Sequence, residues 1–432
     1  MDPTFGVAKL RGNYGKIQWI NFFWMFLVVI PVVVPIWQSH GLDMHQVYLL
    51  QTVFALAVVI LEVPSGYVAD HIGRKTSLVL GGALAGCAFT WFAFADEFWK
   101  FVVFEIMAAV GASLYSGSDV ALIYDTDEAI RRSASSLSAA TGDIPAAAES
   151  SRAEPLPIAS TDRAAIASLG RRLFYAQSGE TLASILGGLL VLVSLDLPAR
   201  VNAVTAWGAF LIALTLVEPP RERASAHRSH FEQVKEIAQL LFVRSALLRL
   251  VLLNLIVYGL ATLTAVWAFQ GYWKAGDISL AFFGWLWAGY NLTVALVGRV
   301  AHAIEDRIGS AAVVVSIGLL PVLGFFGMAA SGAWLGTLFG LAFQVARGLT
   351  QVVLKDALNS RVPTDYRATA NSISTLGVRF GFALVGPAMG WMIDGRGYSY
   401  ALGAFGALYV VLFVIVCVPL LRMRSVFRNA SC

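Results

Sequence analysis

The sequence predicts an all-α membrane protein with 12 transmembrane helices in two pseudo-symmetric six-helix bundles. Of its 432 residues, 58% are hydrophobic and only 13% are charged, whereas soluble domains carry about 25% charged residues. Apolar runs of about 20 residues, which is the length that crosses a bilayer, recur along the whole chain. We expect the spans near residues 17–38, 46–68, 76–95, 98–125, 171–194, 198–217, 246–271, 279–301, 310–330, 333–356, 369–393 and 399–421.

An internal repeat divides these spans into two halves. The tetrapeptide Asp70–Gly73, after the second span, recurs as Asp306–Gly309 after the eighth. The segment Gly117–Asp125, at the end of the fourth span, recurs as Gly348–Asp356 at the end of the tenth. Repeats in matching places on helices of matching order are typical of transporters that are built from two related bundles.

The positive charges predict the orientation of the chain in the membrane. Of the 31 Lys and Arg residues, 23 lie in the termini and the even-numbered loops, and four lie in the opposite loops. Because Lys and Arg concentrate on the cytoplasmic side, we expect both termini in the cytoplasm. The predicted location is the cytoplasmic (inner) membrane, with the lipid bilayer as the surroundings of a multi-pass protein.

The domain organisation follows from the spans and from two long polar segments. We predict helices 1–4 of the N-terminal bundle in residues 1–127, helices 5–6 in 171–217, and the C-terminal bundle in 245–432. Residues 128–170 are rich in Ala, Ser and Pro without apolar periodicity, which predicts a flexible cytoplasmic insertion. The linker 218–244 predicts an amphipathic helix at the membrane surface, whose apolar face carries Phe231, Val234, Ile237, Ala238 and Leu241.

The loop between the second and third spans carries the pattern Gly66-x-x-x-Asp70-x-x-Gly73-Arg74-Lys75. It connects two long apolar helices through few residues, which predicts a tight, charged hairpin. The pattern resembles the loop between the second and third helices of the major facilitator superfamily of secondary transporters. The resemblance covers the whole chain except residues 128–170.

This resemblance implies the fold and the working cycle of the family. Two bundles are expected to rock around a central site and to expose it alternately to each side of the membrane, with the protein functional as a monomer. The loop motif is expected to act as a cytoplasmic gate, in which Arg74 pairs with Asp125 at the end of the fourth helix.

Carboxylates inside predicted spans are the candidates for proton coupling, because ionisable groups in a membrane are costly and mark function. Glu105 and Asp119 lie 14 residues apart in the fourth span and share a face if the helix is continuous. Tyr115 and Ser116 lie on that face and are candidates for the substrate cavity. Glu180 lies two to three turns into the fifth span. We expect proton coupling through Asp119 and Glu180, with Glu105 third.

The other cavity candidates are polar or aromatic side chains deep within spans. Arg347 maps through the internal repeat onto Ser116, and Arg379 lies midway along the eleventh span. A buried arginine needs either an acidic partner or an anionic ligand, and the sequence leaves both open. The remaining candidates are Trp24, Asn254, Tyr258, Tyr290 and Gln344.

The function predicted from these features is secondary active transport of a small molecule by alternating access. No nucleotide-binding motif is present, so we expect an ion gradient, and protons, to drive the cycle. The preferred prediction is proton-coupled efflux of an amphipathic compound, although the fifth span lacks the Gly-Pro of drug–proton antiporters. The alternative is uptake of an anionic or zwitterionic metabolite or a metal chelate such as a siderophore.

Other functional classes are less well supported by the sequence. A membrane enzyme would need a nucleophile–base pair or a metal-ligand cluster, and no such motif is visible. A transporter-like sensor would need a longer signalling domain than residues 128–170. We therefore expect no enzymatic activity, cofactor, metal or nucleic-acid partner.

Overall fold

The computed structural model describes residues 3–141, 160–220, 236–363 and 366–423, and the regular elements in these ranges are all helical. We number the helical spans α1–α12 in chain order. The first half comprises α1 (Pro3–Met25, continued by Ile30–Val32 and Val33–Ser39), α2 (Met44–Ile72), α3 (Arg74–Phe92), α4 (Phe98–Tyr115 and Ser118–Thr141), α5 (Ser160–Leu190) and α6 (Leu197–Thr205 and Trp207–Leu214). The second half comprises α7 (Ala246–Ala275), α8 (Leu280–Ile308), α9 (Ser310–Ala330), α10 (Ala333–Leu349, Thr350–Leu354 and Lys355–Asn359), and α11 and α12, which run through Arg367–Leu412, Phe413–Cys417 and Val418–Arg422.

The predicted all-α architecture is confirmed. Within the described ranges, nine stretches are long and apolar enough to cross a membrane. One of them, Arg367–Arg422, contains two spans, because the backbone turns at Gly397 (φ 82°) and separates α11 from α12. The helices α3 and α5 lie outside these nine stretches, and with them the described residues contain twelve helical spans.

Both copies of the internal repeat form the same kind of backbone turn. Gly73 ends α2 and begins α3 with φ 102° and ψ 150°, and Gly309 ends α8 and begins α9 with φ 84° and ψ 148°. A positive φ is accessible to glycine without steric cost, which explains why this residue type stands at both positions. Each half therefore contains the same tight hairpin.

Three boundaries differ from the sequence prediction. The first helix begins at Pro3 rather than near residue 17, and the Asn13 side chain ties it to α6 through the backbone of Val217 (2.8 and 3.0 Å). The predicted flexible insertion 128–170 is helical where the structure describes it, because α4 continues to residue 141 and α5 starts at residue 160. Alanine-rich sequence favours helix at both ends of this segment. Residues 142–159 lie outside the described ranges.

The linker also differs from its prediction. Ile237 and Leu241 are fully buried in the protein core instead of facing lipid. The Tyr366 hydroxyl donates to Glu236 (3.0 Å), which attaches this end of the linker to the start of α11. Contact with protein removes the two apolar side chains from water as effectively as a membrane surface would. Phe231 and Val234 lie outside the described residues.

The fourth span is broken rather than continuous. Ser116 (ψ 122°) and Gly117 (φ 73°) separate its two helices, so Asp119 begins a new helix instead of continuing the face of Glu105. The predicted shared face assumed an unbroken helix and is wrong for this reason. In the second half, five residues of π-helix (Thr350–Leu354) stand at the related place in α10.

The two halves meet at the end of the bundle opposite to the chain termini, which we call the distal end. The Asp394 carboxylate of α11 accepts hydrogen bonds from the backbone N–H groups of Met44 (3.0 Å) and His45 (2.7 Å) at the start of α2. Gln270 of α7 bonds the backbone of α1 at Ile30 and Val34. These contacts close the distal end.

We call the opposite end, near Pro3 and Arg422, the terminal end. There the two halves are less tightly joined at the loop motif. A Cβ added to Gly66 would meet no described atom within 4 Å. No other helix therefore approaches this glycine closely in the described part of the chain. The structure combines a closed distal end with an uncovered Gly66.

Candidate functional site

An apolar cavity of about 230 Å³ lies in the first half and is completed by one residue of the second half. Helices α1–α4 supply most of its wall, and α6 and α7 contribute Ala206 and Trp267. The wall is dominated by aromatic and small side chains, among them Trp24, Trp37, Phe54, Phe89, Phe104, Ala108 and Ala112. Concave, mostly apolar sites with a few polar groups are typical of small-molecule binding.

Glu105 is the one ionisable residue among the side chains that line this cavity. It is 3% exposed, and Gln51 of α2, which is 7% exposed, donates from Nε2 to Glu105 Oε1 over 2.8 Å. Burial of a carboxylate is costly unless hydrogen bonds or an opposite charge compensate it. The carboxylate in the cavity therefore has one amide donor from the protein and no cation within bonding distance in the described residues.

Aromatic stacking shapes the two ends of the cavity wall. Trp24 stacks on Tyr115 with ring centroids 4.0 Å apart and planes 8° from parallel. Trp37 and Trp267 bring the two halves together, with centroids 6.0 Å apart. Trp24 is a lining residue of this cavity, whereas Tyr115 packs against Trp24 and is not itself a lining residue.

Asp119 lies apart from the cavity, in an ion pair. It is 1% exposed at the first turn of the second α4 helix, where Oδ1 accepts from the backbone N–H of Val120 (2.8 Å). Oδ2 accepts from Nε of Arg172 on α5. This pair was not predictable from the sequence, because the two residues are 53 positions apart and no local pattern connects them.

Glu180 joins the two halves at the contact of α5 with α8. Its Oε1 accepts from Asn291 Nδ2 (2.7 Å), and its charge acts on Arg347 of α10. Gln344, one turn from Arg347, is 1% exposed, and its Nε2 has no hydrogen-bond partner in the described part of the chain. The structure thus brings Glu180, Gln344 and Arg347 to one polar region that is separate from Glu105.

Arg379 adjoins the cavity through an aromatic side chain. Its guanidinium lies 5.3 Å from the ring centroid of Phe54, which is a lining residue. Glu62 of α2 interacts with it electrostatically across the two halves. Glu62 lies in a run of apolar residues, and no sequence pattern connects it with Arg379.

The other predicted cavity residues lie in helix packing or at helix ends. Asn254 is fully buried and donates to the carbonyl of Val416 (3.1 Å), and the Tyr290 hydroxyl donates to the carbonyl of Thr337 (2.7 Å). Tyr258 is buried against α9, where a Cβ at Gly318 would approach its hydroxyl to 2.8 Å. Ser116 marks the break in α4. The structure does not bring these residues to the cavity.

The loop motif is organised by Glu218, a residue outside the motif itself. Glu218, at the end of α6, accepts from the backbone N–H groups of Arg74 (2.9 Å) and Lys75 (2.7 Å) and so caps the start of α3. A carboxylate at a helix N-terminus is favourable for hydrogen bonding and for the helix dipole. A Cβ at Gly73 would lie 2.9 Å from Glu218 Oε1, which gives this glycine a second role besides its positive φ.

The predicted partner of Arg74 lies near it. Arg74 Nε is 4.0 Å from Asp125 Oδ2, and both side chains are partly exposed. The side chain of Asp70 lies outside the described side chains. The motif therefore connects α3, α4 and the start of the linker through Arg74, Asp125 and Glu218.

Comparison with known proteins agrees with this architecture. Residues 17–144 match the family model described as Major Facilitator Superfamily. No curated protein sequence matches the chain. A mutant of the nucleoside transporter NupG is similar in structure with a TM-score of 0.73 at 12% identity, covering 96% of this chain and 99% of that chain.

Two further solved structures show the same fold. A D-xylose-proton symporter gives a TM-score of 0.65 at 13% identity, covering 95% of this chain and 97% of that chain. A bacterial homologue of the human lysosomal transporter Spinster, in an inward-facing and unoccupied conformation, gives 0.67 at 14% identity, covering 99% and 98%. At such identities the likeness concerns the fold alone.

Proposed function

We propose that this chain is a secondary transporter of the Major Facilitator Superfamily, which the match of residues 17–144 and the fold support. We further propose that it exports an amphipathic cation in exchange for protons. The observation that carries the proposal is the single carboxylate, Glu105, in an otherwise apolar and aromatic cavity. Aromatic walls bind the apolar body of such a compound, and the carboxylate compensates its charge.

The exchange of a cation for a proton follows from the burial of Glu105. A carboxylate that is enclosed in the membrane is stabilised either by a bound cation or by a proton, and one replaces the other. Release of the cation then accompanies protonation, and deprotonation on the other side restores the binding site. Glu105 therefore takes the first place in our proposal for proton coupling.

The direction of transport follows from the charge of the substrate. The membrane potential, negative inside, already draws a cation into the cell, and moving one out requires coupled energy. Entry of protons supplies that energy when both ions compete for one carboxylate. The positive-inside bias supports a cytoplasmic terminal end, and on that basis a closed distal end corresponds to the conformation that loads from the cytoplasm.

Uptake of an anionic or zwitterionic metabolite is the second candidate, and one observation favours it. Arg379 Nε is buried without a hydrogen-bond partner among the described residues. An anion could satisfy this donor, and a zwitterion could use Arg379 and Glu105 together. Under this alternative, Arg379→Gln abolishes transport and Glu105→Gln leaves anion transport largely intact, which is the reverse of the pattern expected for cation export.

The proposal is tested in proteoliposomes that enclose a pH indicator, with the membrane potential held by potassium and valinomycin. Permanently charged amphipathic cations, both guanidinium and quaternary ammonium compounds, are added outside. We expect the lumen to become more alkaline as cations enter and protons leave, in liposomes with protein and not in empty ones. A pH response to organic anions alone, or to none of these compounds, contradicts the proposal.

The Asp394→Ala variant is expected to favour the conformation that is open at the distal end. It removes the carboxylate that holds the first turn of α2 from the opposite half. Loss of such a cap costs about 1 kcal/mol at an exposed position, which corresponds to a roughly fivefold change in the ratio of the two conformations. Spin labels at Ser194 and Lys274, on a background without native cysteines, report the opening as longer distances in double electron–electron resonance.

Asp96→Ala is the matched control for this variant. Asp96 is a distal carboxylate that bonds Lys100 within its own half, so its removal should leave the distances between the labels unchanged. Equal distance distributions in wild type and Asp394→Ala would show that the capping carboxylate does not hold the distal end.

A further inference from the structure

The hydrogen bond between Gln51 and Glu105 fixes which atoms face the cavity. An ionised carboxylate only accepts hydrogen bonds, so the amide NH₂ of Gln51 turns toward it and the amide oxygen turns away. Glu105 accepts this bond with Oε1, so Oε2 remains available as an acceptor. The two residues stand on neighbouring helices, α2 and α4, and both line the cavity.

Two acceptor oxygens remain free after this bond is made. Glu105 Oε2 and Gln51 Oε1 have no hydrogen-bond partner in the described part of the chain. Both residues line the cavity, and neither oxygen is among the fully enclosed polar atoms that lack a partner. The site therefore offers one charged and one neutral acceptor, on two side chains that are joined by one hydrogen bond.

The cavity around this pair is mostly apolar, and its other side-chain hydrogen-bonding groups are the indole N–H groups of Trp24, Trp37 and Trp267. Ala108 and Ala112 stand one and two turns from Glu105 on α4, and Phe54 and Phe104 are neighbouring aromatic lining residues. A ligand that enters loses water from its own donors and from both oxygens. Oxygens that stay unpaired after this loss weaken binding, whereas donors that match them strengthen it.

We propose that Gln51 and Glu105 form a two-acceptor subsite that selects amphipathic guanidinium and amidinium compounds over quaternary ammonium ions. The inference rests on the proposed cation transport and narrows its substrate class. A guanidinium or amidinium group is planar and directs two parallel N–H donors at two acceptors. A quaternary ammonium ion carries the same charge without any N–H, so Gln51 Oε1 stays desolvated and unpaired beneath it.

The test compares two probes that share one apolar body and are both permanently charged near neutral pH. These are 2-phenylethylguanidinium and 2-phenylethyltrimethylammonium, and their affinities for the purified full-length protein are measured by calorimetry. Wild type is expected to bind the guanidinium probe at least tenfold more tightly. In Gln51→Leu this preference should fall to less than threefold, because the neutral acceptor is gone and the carboxylate still attracts both cations.

Gln351→Leu, at an exposed position of α10 away from the cavity, is the matched control and should keep the wild-type preference. Gln51→Met is a second variant that removes the acceptor with a flexible side chain of similar length, and thermal unfolding checks that each variant is folded. Equal affinities of the two probes for wild type, or a preference that survives both Gln51 variants, overturns the two-acceptor subsite.

The Glu105→Gln variant separates this inference from the proposed function. If Glu105→Gln abolishes binding of both probes while wild type shows no preference between them, the proposed cation site is supported and the proposed role of Gln51 is wrong. If it leaves both affinities unchanged, or if neither probe binds wild type, the cation site itself is wrong.

Discussion

Glu105→Gln is expected to reduce proton-coupled transport at least tenfold while leaving the protein folded. The amide has nearly the shape of the carboxylate and can still bond Gln51, so the apolar wall of the cavity should keep its packing. It carries no charge to compensate a bound cation, and it does not exchange a proton in the cycle. The measurement is the change of lumenal pH on addition of cations to proteoliposomes, together with the uptake of a labelled cation.

Glu128→Gln is the matched control for this variant. Glu128 is an exposed carboxylate of α4 that pairs with Arg132 outside the cavity, so wild-type coupling is expected. Cation uptake by Glu105→Gln that still responds to an imposed pH gradient would move the coupling site elsewhere, with Glu180 next in order. Glu180 is bonded to Asn291 across the two halves, and a proton on it would change that contact rather than the cavity.

The fold was predictable because a bilayer imposes one length and one composition on every span. The internal repeat is also visible in the structure, since Gly73 and Gly309 both adopt a positive φ at related hairpins. The break at Ser116 and Gly117 was not predictable from hydropathy, because both residues are compatible with an unbroken helix. That break accounts for the largest error in the predicted site, the placement of Asp119 on the face of Glu105.

The partners of the charged residues were beyond the reach of sequence reasoning for another reason. Gln51 and Glu105, Arg172 and Asp119, and Glu180 and Asn291 each meet across different helices, and helical periodicity relates only residues within one helix. Which face of α2 meets which face of α4 depends on packing over the whole bundle. The sequence therefore identified the carboxylates as candidates, whereas their hydrogen-bond and ion-pair partners required the structure.

Asp119→Asn is expected to lower the stability of the protein by about 3 kcal/mol, which is the smaller end of the cost of breaking a buried ion pair. Asp119 is 1% exposed, and its partner Arg172 is 22% exposed, so the arginine left without its counter-charge recovers only part of its hydration. The measurement is the thermal unfolding of purified protein in detergent. Asp196→Asn, at an exposed position of the distal loop between α5 and α6, is the matched control.

The double variant Asp119→Asn with Arg172→Gln distinguishes a structural carboxylate from a proton carrier. Removing both charges leaves no unpaired ion in the bundle, so most of the lost stability should return. If Asp119 only fixes α4 against α5, proton-coupled transport returns together with stability, because Glu105 and its cavity are unchanged. If Asp119 carries protons, as the sequence alone predicted, the double variant regains its stability and stays uncoupled, and the first place in proton coupling passes from Glu105 to Asp119.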